Sequence, residues 1–236
     1  MGTTENPDPG TDIVAAALDK WLGHKHTGYD YVKIGKIMAA ADAARFIQQS
    51  MPLAEIFPTR RQLHQAAIGA RQSSGLVLEF GVAAAQSINF IADMLKTERI
   101  YGFDSFEGLP EDWTNLYRKG YFAAHGLPEV RDNVELVVGW FDKTLPSFLE
   151  QHPEDVSYLH VDCDLYASTK IIFDLLGHRI KPGTVIVFDE YFNYPTWRDH
   201  EHKAFSEFVA AHELKFHNLG GVSCDKQLAV VVDAIG

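Results

Sequence analysis

Short runs of β-branched and aromatic residues alternate with longer amphipathic runs from Leu76 to the end of the chain. The short runs predict strands, and the amphipathic runs predict helices. Helices between the first five strands indicate a doubly wound α/β fold, and a Gly220-Gly221 turn predicts that the last two strands form an antiparallel hairpin at one edge. The predicted seven-stranded mixed sheet consists of Leu76–Phe80, Arg99–Phe103, Val134–Val138, Val156–Val161, Thr184–Phe188, Leu214–Asn218 and Gln227–Val232.

The residues before the first strand show helical periodicity and no strand pattern. We predict helices over Ile13–Leu22, Ile34–Gln49 and Arg60–Arg71. The chain then divides into a flexible tail (residues 1–12), an N-terminal helical cap (residues 13–72) and an α/β domain (residues 73–236). Because the cap lies outside the strand pattern, we expect it to act as a lid over the strand ends.

The charge and composition of the chain limit the kinds of binding partner that we expect for it. The chain of 236 residues has a formal net charge of −11, which argues against a nucleic-acid partner because phosphate binding requires a concentrated basic face. No run approaches the ~20 apolar residues of a membrane span, so no membrane partner is expected. Two cysteines are too few for a disulfide framework and indicate a cytoplasmic protein. We expect a small-molecule partner, and a homo-oligomer stays open.

Acidic residues follow two of the predicted strands. Asp162 comes after the strand Val156–Val161, and Asp189 and Glu190 come after the strand Thr184–Phe188. One helical crossover joins these strands, so their carboxyl ends should meet at the edge where open α/β sheets bind ligands. Three carboxylates at one point favour a hard divalent cation such as Mg²⁺, Ca²⁺ or Mn²⁺. The alternative is that they cap helices and face water, and the residues alone favour neither.

The first two strands end in a second candidate site. Glu79 and Gly81 stand at the turn into the next helix, and Asp104 ends the second strand. A glycine lets a ligand approach the backbone, and an acid at the end of the second strand can accept both hydroxyls of a ribose. Dinucleotide-binding proteins normally have G-x-G-x-x-G here, whereas one valine and three alanines follow Gly81 and would crowd a pyrophosphate. S-adenosylmethionine, which has a ribose and no phosphate, suits this pattern.

Five segments of the chain resemble a known family. They are EFGV (Glu79–Val82), YGFDSFEGLPEDW (Tyr101–Trp113), VVGWFDKTLP (Val137–Pro146), HVDCDLYAST (His160–Thr169) and PGTVIVFDEY (Pro182–Tyr191). Together they resemble class I S-adenosylmethionine-dependent methyltransferases, and in particular the macrocin O-methyltransferase (TylF-like) family. The resemblance implies a Rossmann-like fold and methyl transfer to a hydroxyl of a sugar or natural-product intermediate, with Mg²⁺ or another divalent cation.

The resemblance also implies roles for individual residues. It places the metal on Asp162, Asp189 and Glu190, although the family more often has Asp at the last position. It places the cofactor on Glu79, Gly81, Val82, Asp104, Ser105, Gly139, Trp140, Phe141 and Asp162.

Methyl transfer to a hydroxyl requires that the hydroxyl lose its proton. Asp162 is the candidate that would also touch the metal, and His200, His202 and Asp164 are candidate proton acceptors. The two histidines open a helix predicted over His202–Ala211, but each is also typical of an ordinary surface residue. Two other functions stay open: a non-catalytic protein that keeps the cofactor pocket, and a nicotinamide-dependent oxidoreductase.

Overall fold

The computed structural model describes residues 16, 19–23, 28–72, 74–114 and 116–236. The predicted tail lies outside these residues, as does half of the predicted helix Ile13–Leu22. The α-helices from residue 28 onward are α1 (Tyr31–Ser50), α2 (Arg60–Gly69), α3 (Gln86–Met94), α4 (Phe141–Gln151), α5 (Tyr166–Leu176) and α6 (Glu201–Ala211). The strands are β1 (Glu55–Phe57), β2 (Leu76–Phe80), β3 (Ile100–Asp104), β4 (Val134–Val138), β5 (Val156–Val161), β6 (Val185–Phe188), β7 (Lys215–Val222) and β8 (Leu228–Ala234).

All eight strands form one mixed sheet in the order β1-β7-β8-β6-β5-β2-β3-β4. The strands from β2 to β6 pair in parallel, and β8 pairs antiparallel with both β6 and β7. This arrangement confirms the predicted α/β, doubly wound fold and the antiparallel pairing of the last two strands. The turn is not at Gly220-Gly221 as predicted, because both glycines pair within β7 and residues 223–227 connect β7 to β8. Because β5 and β2 lie side by side in the middle of the sheet, their carboxyl ends meet at the point where the chain reverses its direction of winding.

Other features of the sheet also differ from the sequence prediction. The sheet has eight strands instead of seven, because Glu55–Phe57 pairs in parallel with residues 220–222 of β7. That strand has three residues, too few for a periodic pattern, and it places β1 at the edge that the hairpin was expected to occupy. The connection between β3 and β4 contains no helix among its described residues, since Gly108, Pro110, Gly120 and Gly126 interrupt it.

Apolar side chains pack on both faces of the sheet. On one face, Leu63 of α2 and Ile88 of α3 belong to a buried cluster with Val77 and Tyr158. On the other face, helices α4, α5 and α6 contribute to a second cluster around Phe80, which includes Phe173 and Phe205. Two buried faces explain why β2 and β5 are buried at every position, including the polar Glu79 and His160.

Side-chain caps fix where the first two helices begin. The Asp30 carboxylate accepts hydrogen bonds from the backbone N–H groups of Val32 and Lys33, and the Thr59 hydroxyl accepts one from Gln62. The cap at Thr59 starts α2 directly beside the sheet, so the first turn of α2 stands close to the strand ends. Among the helices of the described residues, none has the length and apolar character needed to cross a bilayer.

Candidate active site

The turn after β2 depends on Gly81. This residue has φ +93°, and a Cβ at its position would lie 1.7 Å from the carbonyl oxygen of Asp162. Only glycine therefore allows the ends of β2 and β5 to approach this closely. The turn continues through Ala83 and Ala85, which have φ values of +45° and +58°, before α3 begins.

Asp104 holds that turn in place. Its Oδ2 accepts hydrogen bonds from the backbone N–H groups of Val82 and Ala83, both at 2.9 Å. Its Oδ1 accepts one from the N–H of Phe106 at 2.7 Å. The carboxylate thus ties the glycine turn to the start of the β3–β4 connection, and its Oδ1 keeps a lone pair for a further donor.

A cavity of about 940 Å³ opens above the carboxyl ends of β2, β3, β5 and β6. This volume is in the upper part of the range for small-molecule pockets. The cavity wall includes most of the residues predicted to bind the cofactor, namely Gly81, Val82, Asp104, Ser105, Trp140, Phe141 and Asp162.

The other two predicted cofactor residues lie behind the wall. Glu79 is fully buried in β2, where its carboxylate accepts a hydrogen bond from the Ser87 hydroxyl at 3.0 Å. Gly139 donates its N–H to the backbone carbonyl of Asp104 at 2.9 Å. Both residues support groups that face the cavity.

Four carboxyl groups line one end of the cavity: Asp162, Asp164, Asp189 and Glu190. Burial, reinforced by the charges of Asp189 and Glu190, raises the pKa of Asp162 well above its usual range. Burial also raises the pKa of Asp164 to about 7 and that of Glu190 to about 8. The structure therefore brings the three predicted metal ligands to one place, in surroundings where negative charge is costly.

Two side-chain cations partly offset this charge, and neither was singled out from the sequence. Arg60, in the first turn of α2, places Nη1 3.0 Å from Oδ2 of Asp189 and also pairs with Asp225. Lys226, which precedes β8, pairs through Nζ with Oε1 of Glu190. These contacts join residues far apart in the chain, so no local sequence pattern could have indicated them.

Two buried histidines stand beneath the acid cluster and were also missed. His160 is fully buried, and its Nδ1 lies 2.8 Å from Oε2 of Glu79. The His64 ring lies edge-on to the His160 ring, with 4.7 Å between centroids, and its Nδ1 is 2.6 Å from the Tyr158 hydroxyl. Burial holds the pKa of His64 well below its ordinary value, so this ring is neutral.

The predicted proton acceptors separate into two groups. Asp162 and Asp164 line the cavity, whereas neither His200 nor His202 is among the described residues that line it. The His202 ring packs edge-on against Phe46 and Trp197, and burial lowers its pKa to about 4. Packing inside an aromatic cluster is thus the observed role of His202.

Aromatic residues of the β3–β4 connection form another part of the cavity wall, named here the aromatic wall. Trp113, Tyr117 and Phe122 line the cavity, and the Tyr117 ring stacks with both of the others. Arg61 of α2 also lines the cavity, with its guanidinium 4.2 Å from the centroid of the Phe90 ring. The glycine turn, the acid cluster and the aromatic wall therefore share one cavity.

Comparisons with known proteins agree with this geometry. Residues 78–191 match the protein family described as a methyltransferase domain. The 8-demethyl-8-(2,3-dimethoxy-alpha-L-rhamnosyl)-tetracenomycin-C 4'-O-methyltransferase of Streptomyces olivaceus is 28% identical over 141 residues, which are 50% of this chain and 53% of that protein. The demethyldecarbamoylnovobiocin O-methyltransferase of Streptomyces niveus is 25% identical over 166 residues, which are 62% of this chain and 59% of that protein. The chain thus spans between half and two thirds of the length of these relatives.

A solved structure supports the same fold. The crystal structure of the calicheamicin methyltransferase CalS11 has a TM-score of 0.58 at 20% identity, and the superposition covers 96% of this chain and 94% of that one. At 20% identity the structural similarity shows a shared fold, whereas the family match indicates a methyltransferase domain. Residues 78–191 therefore match a methyltransferase domain, and the chain has the fold of that solved methyltransferase structure.

Proposed function

We propose that the protein transfers the methyl group of S-adenosylmethionine to a hydroxyl of a sugar or natural-product intermediate, with a divalent cation at the acid cluster. The observation that carries the proposal is the single cavity that joins the turn at Gly81 to the carboxylates of Asp162 and Asp189. Such a cavity holds a nucleoside ligand and a second small molecule side by side, which an in-line displacement requires.

The cofactor end of the cavity is assigned to the turn and the strand ends around it. In this proposal, Oδ1 of Asp104 accepts a ribose hydroxyl, and the turn at Gly81 and Val82 faces the amino-acid end of the cofactor. Trp140 and Phe141, which also line the cavity, supply the apolar surface for the adenine ring. Glu79, Ser105 and Gly139 support this end from behind or beside it.

The acceptor end is assigned to the acid cluster and the aromatic wall. Of the candidate proton acceptors, Asp164 has the best position, because it lines the cavity two residues beyond Asp162. Its backbone φ of +62° directs the chain sharply after β5 and before α5. Asp164 would take the hydroxyl proton, while Trp113 and Tyr117 would hold the acceptor at the aromatic wall.

The residues present fit a divalent cation. Asp162, Asp189 and the ring of His160 offer ligand atoms that lie within 4.8 Å of one another, and the carboxyl of Asp162 is destabilised as an anion by its surroundings. When bound there, a divalent cation supplies Lewis-acid polarisation of a hydroxyl. Glu190, the third ligand implied by the family resemblance, lies beside these residues and is paired with Lys226.

The names of the two curated relatives support the acceptor class. One is a 4'-O-methyltransferase of a rhamnosyl-bearing tetracenomycin, and the other is an O-methyltransferase of a novobiocin precursor. Both names describe methyl transfer to oxygen on a natural product. We infer the same class of acceptor here, and the individual acceptor is to be found by experiment.

The first experiment measures label transfer. The protein is incubated with S-adenosylmethionine labelled in its methyl group and with glycosylated natural products that have free sugar hydroxyls. We expect label in the acceptor together with S-adenosylhomocysteine. Calorimetric titration with S-adenosylhomocysteine and with NAD separates the alternatives: binding of NAD alone would indicate an oxidoreductase, and tight binding of S-adenosylhomocysteine with no transfer to any acceptor would indicate a non-catalytic protein.

The second experiment tests the cation. Chelation with EDTA should abolish transfer but leave binding of S-adenosylhomocysteine intact, and Mg²⁺ or Mn²⁺ should restore the rate. Asp162→Asn keeps the shape and removes the charge, so it should lower turnover far more than cofactor affinity. Asp174→Asn is the matched control, because it removes the same charge from an exposed ion pair with Lys170. Full turnover in chelator and in Asp162→Asn would contradict metal dependence.

A further inference from the structure

The Nε2 atom of His160 is a buried polar atom that has no hydrogen-bond partner among the described residues. The side chain is fully buried, and the nearest acidic oxygen, Oδ1 of Asp189, is 4.0 Å away. That separation is too long for a hydrogen bond. A buried polar group without a partner destabilises the fold by about 1–3 kcal/mol. A ligand bound between the ring and the carboxylate would remove this cost.

The hydrogen bond on the other side of the ring fixes which nitrogen holds the proton. Nδ1 donates to Oε2 of Glu79 at 2.8 Å, and the Ser87 hydroxyl holds Oε1 of the same carboxylate at 3.0 Å. A neutral His160 that donates from Nδ1 presents a lone pair at Nε2. A histidine oriented in this way by a buried carboxylate is the arrangement that proteins use to aim a ring at a metal ion.

The lone pair of His160 faces two carboxylates. Ligand atoms of His160, Asp162 and Asp189 all lie within 4.8 Å of one another. Metal–ligand bonds of about 2.1 Å put the ligand atoms around one ion about 3 to 4.2 Å apart, so these three groups must approach one another by on the order of an ångström to share an ion. Asp189 is already held from outside, since its Oδ2 contacts Arg60 at 3.0 Å and its Oδ1 accepts from Gln227 at 3.0 Å.

Glu190 lies outside this group of ligand atoms. Among the described residues, the ligand atoms that gather within 4.8 Å of one another belong to His160, Asp162 and Asp189. Oε1 of Glu190 pairs with Lys226, and the backbone N–H of Glu190 donates to the buried Oε2 of Glu201 at 3.0 Å. The Lys226 ammonium in turn lies 5.5 Å from the centroid of the Trp113 ring, which favours its present position.

We propose that the divalent cation is held by Nε2 of His160 with the carboxylates of Asp162 and Asp189, and that Glu190 is not a ligand. This inference rests on the proposed metal dependence and specifies the ligands. One imidazole nitrogen with two carboxylates suits Mn²⁺ or Fe²⁺ better than the all-oxygen ligand set that Mg²⁺ and Ca²⁺ prefer. We therefore expect the protein to bind Mn²⁺ at least about tenfold more tightly than Mg²⁺.

The test uses the full chain, freed of metal and without cofactor or acceptor. Titration with Mn²⁺, followed by loss of the electron paramagnetic resonance signal of the free ion, gives the dissociation constant. His160→Gln removes the ring nitrogen and should weaken Mn²⁺ binding at least about tenfold, as loss of even an outer-shell partner does in metal sites. The matched control is Glu190→Gln combined with Lys226→Met, which removes the ion pair without changing the net charge and should leave the dissociation constant within threefold.

A second measurement needs no variant. Pulsed electron paramagnetic resonance of Mn²⁺ bound to the unmodified protein should show modulation from one directly bound imidazole ¹⁴N. Absence of this modulation, or wild-type affinity in folded His160→Gln, would overturn the assignment of His160 while leaving metal-dependent methyl transfer in place. Loss of Mn²⁺ binding in the Glu190/Lys226 double variant would return the third ligand to Glu190. No binding of Mn²⁺ to the unmodified protein would overturn both the ligand set and the proposed metal dependence.

Discussion

Replacement of Gly81 by alanine tests how closely the two central strands must approach. The new Cβ would lie 1.7 Å from the carbonyl oxygen of Asp162 and 2.7 Å from its carbonyl carbon. Gly120 is the matched control, because its φ of +79° is similar and a Cβ there would meet no atom of the described residues within 4 Å. Gly120→Ala therefore adds the positive-φ strain alone, which is about 1 kcal/mol.

Gly81→Ala adds a steric conflict to that strain. Overpacking of a well-packed site costs about 1–3 kcal/mol, so we expect a total loss of about 3 kcal/mol in the free energy of unfolding. For a chain of this length that loss lowers the melting temperature by about 6–12 °C, against about 2–4 °C for Gly120→Ala. Urea denaturation and thermal melting of both variants provide the comparison.

The same substitution should affect cofactor binding. Relief of the conflict must move the end of β2 away from Asp162, which lines the cavity beside Gly81. Calorimetric titration should therefore show much weaker binding of S-adenosylhomocysteine to Gly81→Ala and unchanged binding to Gly120→Ala. Equal losses of stability in the two variants, within about 0.5 kcal/mol, would refute the argument from close approach.

Two further predictions concern single ionisable groups. Asp104→Ala removes a charged hydrogen-bond acceptor, and hydrogen bonds to charged groups contribute about 1.5–3 kcal/mol. The affinity for S-adenosylhomocysteine should therefore fall at least about tenfold. Glu107→Gln, which makes the same charge change three residues away, should leave that affinity unaltered. His202 has a pKa of about 4 in the fold and an ordinary value of 6.5, so the unfolded chain binds more protons between these values and stability falls as the pH falls from 6.5 to 4. His202→Phe should reduce the loss of unfolding free energy between pH 7 and pH 5 by about 1 kcal/mol, after allowance for solvent screening at a half-buried ring. Urea denaturation at the two pH values measures this loss. The same loss in wild type and variant would assign it to other groups.

How well each strand or helix was predicted from the sequence depended on its length and its burial. The bounds of β2, β4 and β5 agree with the sequence prediction, because each is a short, mostly apolar run rich in β-branched or aromatic residues. The strand β1 was missed, since its three residues form a strand only through pairing with β7. The β3–β4 connection was expected to contain a helix, and its glycines and prolines were the signal that argued against one.

The site shows the same division between local and long-range information. Gly81, Asp104 and Asp162 were found because each follows a predictable strand, and parallel strands bring their ends together. Arg60 was missed because its contact with Asp189 joins positions 129 residues apart. His160 lies inside a strand that reads as buried, so its polar role is evident only from Glu79 on the neighbouring strand.

The pairing of β1 with β7 has a consequence for where the chain can be shortened. A chain begun at residue 73, the predicted start of the α/β domain, would lack β1 and would leave the backbone N–H and C=O groups of residues 220–222 unpaired at a bare sheet edge. It would also lack α2, which buries Leu63 and Ala67 on the sheet and supplies Arg60 to the cavity wall. An uncovered edge beside an uncovered apolar face is a template for self-association. Aggregation of such a truncated protein would therefore reflect a lost part of the sheet, and would say nothing about whether the preceding helices act as a lid.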